Sequence, residues 1–517
     1  MTDHVQQIRD AYAFDGPALE LGAAVLDGTA HPDAPVRIPL SVLNRHGLVA
    51  GATGTGKTKT LQLIAEQLSD AGVPVFLADV KGDVSGMAAP GVPSERVTAR
   101  AADTGTDWQP RGFPAEFLSL GGLGTGVPVR ATVTSFGPLL LSKVMGLNET
   151  QESSLGLVFH WADRAGLPLL DLKDLRAVIT HLTSDEGKAD LEGLGGMSAA
   201  TAGVILRELV GLEQGGGDVF FGEPEFDTAD LLRTTPEGRG VLSIMGLAAV
   251  QDRPELFSTF LMWLLADLFQ ELPEVGDLDR PKLVFFLDEA HLLFDDASEA
   301  FLDAIARTVR LIRSKGVGVV FVTQTPKDVP GEVLAQLGNR VQHALRAFTP
   351  DDAKALKATV STFPTSEAYD LRELLPALGT GEAVVTVLSE TGAPTPVAWT
   401  RLRPPASLMA QLDPAQQQAA VQASPLLAEY GAAVDRDSAY ERLLARVAPP
   451  EPEAAPEAAP AEERPAPEPE PERRRGREEK GAVREVLESS AFKQFARSAG
   501  REIARSLFGT ATRRRRR

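Results

Sequence analysis

A chain of 517 residues with 43% hydrophobic and 24% charged side chains has room for two or three globular domains. It contains no cysteine, which excludes disulfides, cysteine-ligated zinc, iron–sulfur clusters and cysteine nucleophiles and fits a reducing cytoplasm. The net charge of −19 is uneven: residues 480–517 hold 11 basic and 3 acidic side chains, so this tail is +8 and the remainder −27, and any nucleic-acid contact has to be local, through a pore, a loop or the tail.

No run of about 18 apolar residues is present. The nearest, Phe257 to Phe269, is too short and contains Asp267. Met1-Thr2-Asp3-His4 does not begin a basic region followed by an apolar core, so no signal peptide is expected. The expectation is a cytoplasmic protein with no integral membrane segment.

Residues 1–44 read as a short β-rich lead-in, with strands at Leu21 to Leu26 and Val36 to Leu40. Arg45 and His46 precede the first core strand. Arg45 reads either as a solvated loop residue or as a group near a nucleotide. Leu48-Val49-Ala50 is an apolar run fit for a buried strand, and Leu61, Ile64, Ala65 and Leu68 recur at helical spacing after it.

Between them lies Gly51-Ala52-Thr53-Gly54-Thr55-Gly56-Lys57-Thr58, the phosphate-loop pattern in its strand–loop–helix context. The glycines permit positive φ and close approach of the backbone to a ligand. The helix start offers free N–H groups and partial positive charge to an anion. Lys57 is expected to reach the β- and γ-phosphates of ATP, and the Thr58 hydroxyl to ligate Mg²⁺.

Val73 to Ala78 is a second run without a polar side chain, suited to a parallel strand buried on both faces. It ends in Asp79-Val80-Lys81-Gly82-Asp83. Carboxyl ends of strands carry the chemistry in open α/β sheets, so Asp79 is a candidate to orient water or complete the metal shell, with a turn-capping role as the alternative. These segments, 45–83, make the first part of the core.

Residues 84–238 interrupt the α/β rhythm and read as a mostly helical insertion. Strands are possible at Glu116 to Leu120 and Val127 to Val133. Asn148-Glu149-Thr150-Gln151 carries an N-cap signature, and helices are expected at Leu172 to Leu182 and Ser198 to Leu212.

The α/β pattern resumes over 239–405. Gly240 to Met245 is a strand, Pro254 to Phe269 a helix, and Leu283 to Leu287 a strand that ends in Asp288-Glu289-Ala290-His291. After a phosphate loop, this Asp-Glu pair is the expected acidic half of an ATPase. Asp288 can hold Mg²⁺ through water, and Glu289 can polarise the attacking water. A helix from about Ser298 to Ser314 carries Arg307, Arg310 and Arg313. Strand Val319 to Thr323 then delivers Gln324, whose amide can sense a γ-phosphate from a carboxyl end beside the carboxylates. Arg340, in Asn339-Arg340-Val341-Gln342, is a further basic candidate for the arginine that completes a site in cis or in trans. Gly381 to Leu388 and Pro396 to Leu402 read as an edge hairpin.

Residues 406–448 are a polar, Ala-rich helical extension. The Pro/Glu/Ala repeats of 449–479 cannot bury enough apolar area to order themselves, so they read as a disordered linker. Residues 480–517 form a basic amphipathic helix and an arginine tail. That element suits the chain's own acidic body, a partner protein, an anionic membrane or nucleic acid.

On Asn44 to Val49 with the phosphate loop, Asp79 to Asp83, Asp288 to His291, Thr323-Gln324-Thr325-Pro326, Leu345 to Pro350 and the tail Lys493 to Arg501, the chain resembles HerA-like bacterial ATPases of the HerA–FtsK superfamily. The resemblance covers roughly residues 20–405 and the tail. It implies a RecA-like core, ATP hydrolysis with Mg²⁺ and a hexameric ring that moves DNA. It implies also that Arg45 is nucleotide-proximal and that Arg313 is a finger offered to the neighbouring subunit. The N-terminal barrel of HerA proper is not evident ahead of Arg45. Two functions therefore fit: a DNA translocase or helicase, or an ATP-gated assembly or membrane-associated switch. A kinase fits less well, because no acceptor-substrate motif is visible.

Overall fold

Apolar runs of four to seven residues suit strands buried on both faces of a covered parallel sheet. The computed structural model, which describes residues 2–192, 195–276, 278–294 and 299–447, has such a sheet at its centre. Its strands are β1 (Ala18–Leu26), β2 (Thr29–Pro39), β3 (Gly47–Ala50), β4 (Val75–Asp79), β5 (Ala115–Leu120), β6 (Val127–Val129), β7 (Leu242–Gly246), β8 (Leu283–Leu287), β9 (Val317–Thr323), β10 (Asn339–Gln342), β11 (Glu382–Thr386) and β12 (Ala398–Leu402). They form one 12-stranded sheet in the order β2-β1-β12-β11-β10-β3-β9-β8-β4-β7-β5-β6.

From β10 to β6 every neighbouring pair runs parallel, and β11, β12, β1 and β2 add an antiparallel wing. Every residue of β3, β4, β8 and β9 is buried. Phe76 and Phe285 pack across β4 and β8 with ring centroids 4.9 Å apart, and Phe294 reaches the Phe321 ring of β9. This dry centre sets the level of the strand ends: Ala50 pairs with Thr323, Phe321 with Leu287, and Leu287 with Ala78.

Three expectations change. The hairpin of β11 and β12 is not an edge, because β12 pairs with β1, so β2 and β6 are the outer strands. The lead-in strands are therefore part of the main sheet. So are β5 and β6, which extend it through β7; the helical excursion starts after Ala131. Local pattern could not show this, because β1 pairs with β12 and β5 with β7 across more than 100 residues of chain. A first helix, Thr2–Ala11, also stands where only strands were expected. Its Val5 and Ile8, with Tyr12 just beyond, recur on one buried face.

The helix Glu149–Arg164 carries the expected capping box, with Asn148 and Gln151 bonded reciprocally. Helices Leu172–Thr183, Ala199–Gln214 and Pro254–Glu271 fall where the spacing put them. Residues up to Leu443 make one compact unit. The Pro/Glu/Ala linker and the basic tail lie outside the described residues. No helix among the described residues is long and apolar enough to cross a membrane.

Candidate functional site

Strands β3, β9, β8 and β4 are consecutive neighbours, and each ends in a residue singled out by sequence. The loop Gly51–Gly56 follows β3, Gln324 follows β9, Asp288 and Glu289 follow β8, and Asp79 closes β4. Parallel pairing with level ends brings segments far apart in sequence to one edge of the sheet.

The loop feeds the helix Lys57–Asp70, with Gly56 as its N-cap at φ +114. Gly51 is needed for a different reason: a Cβ there would lie 2.4 Å from Cβ of His343. His343 is fully buried under the loop, and its Nε2 meets the Thr60 hydroxyl at 2.8 Å. Burial, with the charge of Lys57 added, lowers its pKa to about 4, so it is a neutral support. The loop is braced again by Gly381, whose N–H donates to the Thr55 carbonyl at 2.9 Å. Arg100 holds that brace by donating to the carbonyls of Gly381 and Thr380.

Lys57 folds over its own loop, donating to the carbonyls of Gly51 at 2.7 Å and Ala52 at 3.3 Å. Burial lowers its pKa, opposed by the charges of Glu289 and Asp288. Thr58 is the second residue of the helix, half-buried.

Asp288 is pushed up to about 7, first by burial and then by the adjacent Glu289. A divalent cation would favour its charged form. Glu289 has φ +48, a left-handed conformation uncommon for a non-glycine residue. Burial raises its pKa, but Lys81, which pairs with Oε1, and the charges of His291 and Lys57 outweigh that and hold the carboxyl below its ordinary value. His291 Nδ1 stands 3.4 Å from Oε2. That oxygen is buried and has no hydrogen-bond partner.

Asp79 serves as a brace of its turn. Its Oδ1 accepts from the N–H groups of Gly82 and Asp83 at 2.7 and 3.1 Å, and Oδ2 from Val84 at 3.3 Å. Burial and neighbouring Asp83 raise its pKa to about 6. The turn-capping alternative is thus the one its bonds express. Gln324 is exposed at its strand end, between the loop strand and the Asp-Glu strand. Among the described residues no group of three or more His, Asp and Glu side chains is arranged to hold a metal alone. Mg²⁺ does not require one, since it commonly takes one or two carboxylates and completes its shell with water and phosphate oxygens. Asp288 and Thr58 fit that pattern.

The three arginines do not join this edge. Arg45 ends a 3₁₀ turn ahead of β3, so it lies at the amino end of the strand whose carboxyl end carries the loop, about 13 Å along the chain direction. A Cβ on Gly392 would sit 2.7 Å from its guanidinium, in the turn beyond β11. The nucleotide-proximal expectation therefore fails within one chain. Arg313 is exposed at the amino end of β9, on the same far edge. Buried His46 ties the two regions together: its Nε2 donates to the Val309 carbonyl at 2.6 Å and its Nδ1 accepts from the Val319 N–H.

Arg340 bonds to backbone close to its own strand. Its guanidinium donates to the carbonyls of Leu337, Thr362 and Leu334, and it is spent on packing its own strand. Arg340→Ala should lower stability by about 1–3 kcal/mol through the carbonyls left unpaired. A lower thermal midpoint with unchanged activity per folded molecule would show it.

Sequence reasoning missed Lys81, His291, His343 and Gly381 as members of the site. Lys81 and His291 stand inside quoted motifs and gave a signal by position. The other two are brought in by β10 and β11, and no local pattern points to them.

A family model described as "Helicase HerA-like C-terminal" matches residues 25–517. Curated relatives include a probable helicase of Methanocaldococcus jannaschii, 29% identical over 154 residues, 28% of each chain. The DNA double-strand break repair helicase HerA of Sulfurisphaera tokodaii is 22% identical over 364 residues, 68% of this chain and 64% of that protein. The chain thus spans less than two thirds of the length of these relatives. Among solved structures, the bacterial conjugative coupling protein TrwB superposes with a TM-score of 0.51 at 17% identity, covering 80% of this chain and 94% of that one. TrwB in complex with a non-hydrolysable ATP analogue gives a TM-score of 0.50 at 18% identity, over 78% and 99%. At these identities the likeness is one of fold. With the family match running across nearly the whole sequence, the chain belongs to the HerA-like helicase C-terminal family.

Proposed function

We propose that the chain binds ATP with Mg²⁺, hydrolyses it, and is the motor of a ring that translocates DNA. The observation that carries this reading is the juxtaposition of phosphate loop, Gln324, Asp288 and Glu289 on neighbouring strand ends. The loop amides and the start of the helix Lys57–Asp70 bind the phosphates. Lys57 leaves the loop carbonyls for the β- and γ-phosphate oxygens. Thr58 and Asp288 would hold Mg²⁺, which when bound would supply positive charge against that developing on the phosphates. Glu289 takes the proton of the attacking water. Gln324 donates to the γ-phosphate.

Arg45 and Arg313 stand at the opposite edge, so any phosphate they serve belongs to another subunit. That supports a ring in which one subunit's amino edge faces its neighbour's loop, with Arg313 the finger. The relatives' names, helicase and DNA repair helicase, support DNA as the polymer that is moved.

The test is ATP hydrolysis with Mg²⁺, with and without DNA, on protein sized in a slowly hydrolysed ATP analogue. Hydrolysis stimulated by DNA in an assembly larger than a dimer is expected. Hydrolysis indifferent to every nucleic acid would remove the motor and leave the ATPase. A persistent monomer with full turnover would remove the finger.

A further inference from the structure

The Asp-Glu motif supplies a carboxylate, but a carboxylate has two oxygens and several rotamers, and only one arrangement presents an acceptor to water. In this chain one of the two Glu289 oxygens is held by a residue that lies 208 positions away in sequence. Lys81 sits in the turn after β4. That turn is pinned: the Asp79 carboxylate takes the N–H groups of 82, 83 and 84, Gly82 provides the positive φ of +76, and Gln411 donates to the Lys81 carbonyl at 3.3 Å. The Lys81 ammonium is thereby delivered to Oε1 of Glu289.

Glu289 is pinned as well. Its N–H donates to Asp288 Oδ1 at 2.9 Å, and the next N–H, of Ala290, donates to the Val322 carbonyl of β9. With both backbones fixed and one oxygen held, the buried Oε2 is left without a hydrogen-bond partner, His291 Nδ1 standing 3.4 Å away without bonding it. A buried carboxylate oxygen without a donor is costly unless something else is meant to fill its place. A water lined up for attack would do so.

We propose that Lys81 is a positioning residue for hydrolysis: by holding Oε1 it fixes the Glu289 rotamer and presents Oε2 as the acceptor for the attacking water. In that step the water's proton passes to Oε2 while its oxygen forms a bond to the γ-phosphorus. The bond from that phosphorus to the β–γ bridging oxygen breaks, and ADP leaves with the electron pair. Lys81 exchanges no proton and touches no substrate atom.

The Lys81 side chain is 53% exposed, so water can reach the Glu289 carboxylate from that side when the lysine is replaced. Its loss should appear in turnover.

The inference rests on the ATPase reading, and the experiment separates the two. Steady-state hydrolysis and binding of a fluorescent ATP analogue are measured for the full chain, Lys81→Met, Lys81→Arg, Glu289→Gln and Lys81→Met with Glu289→Gln. Lys81→Met should lower kcat by about tenfold or more while nucleotide affinity changes by less than about twofold. Lys81→Arg, which keeps a donor cation, should recover most of the loss. In the Glu289→Gln background, Lys81→Met should cost nothing further, because the group it acts through is gone. An unchanged kcat in Lys81→Met, a loss confined to affinity, or an equal loss in the Glu289→Gln background would each overturn the proposal. A wild-type chain that hydrolyses no ATP would overturn the ATPase reading itself, and this inference with it.

Discussion

Lys57→Ala should abolish hydrolysis and reduce ATP affinity to the limit of detection. The ammonium belongs to the first residue of the helix that follows the loop, and it rests on the carbonyls of Gly51 and Ala52. A triphosphate brought onto the loop amides is stabilised by those amides and by this charge together, in a site where burial has already disfavoured free solvation of the lysine. Removing it takes the lysine's charge from the loop amides that face several negative charges. Titration of a fluorescent ATP analogue in Mg²⁺ buffer reads the affinity, and phosphate release reads turnover. The fold should survive, since the Lys57 side chain is only half-buried. An alanine variant that binds ATP as the parent does would show that the loop does not grip the phosphates.

Glu289→Gln should give the opposite division, with ATP bound and hydrolysis slowed by about 10²- to 10⁴-fold. The amide is isosteric and keeps an acceptor oxygen, but it cannot take a proton. The position is tightly defined by the Lys81 pair on Oε1, the bond from its own N–H to Asp288 and the left-handed backbone. Retained affinity with lost turnover is the signature of an interaction made only as the bond breaks. Normal turnover would reassign the base, and His291, 3.4 Å from Oε2, would be the next group to test.

The loop, Asp288, Glu289 and Gln324 could be read in the sequence because each is a local pattern: an apolar run followed at once by its polar end. The sheet then needs only level parallel pairing to assemble them. What could not be read depends on distant partners. Arg340 looks like any other exposed-strand arginine until the carbonyls of Leu334, Leu337 and Thr362 are seen around it. Arg45 stands only six residues before Gly51 in sequence, yet β3 carries the chain across the sheet between them, so nearness in sequence became distance in space. The strand patterns of β5 and β6 were visible, but their membership of the main sheet was decided by pairing with β7. Lys81 stood in a quoted motif without a role because its partner lies in another motif.

One hairpin touches both edges of the sheet. At one end Gly381, just before β11, donates to Thr55 in the phosphate loop, and at the other the turn at Gly392 lies against the Arg45 guanidinium. Between them β11 is laced to β10 on one side and β12 on the other. A strand bonded along both flanks resists stretching and shortening, so it behaves as a stiff connecting rod. A displacement imposed on the loop would then be carried lengthwise to the far rim, and a force on Arg45 there would be carried back. In a closed ring, such a rod would make occupancy at one interface mechanically legible at the next.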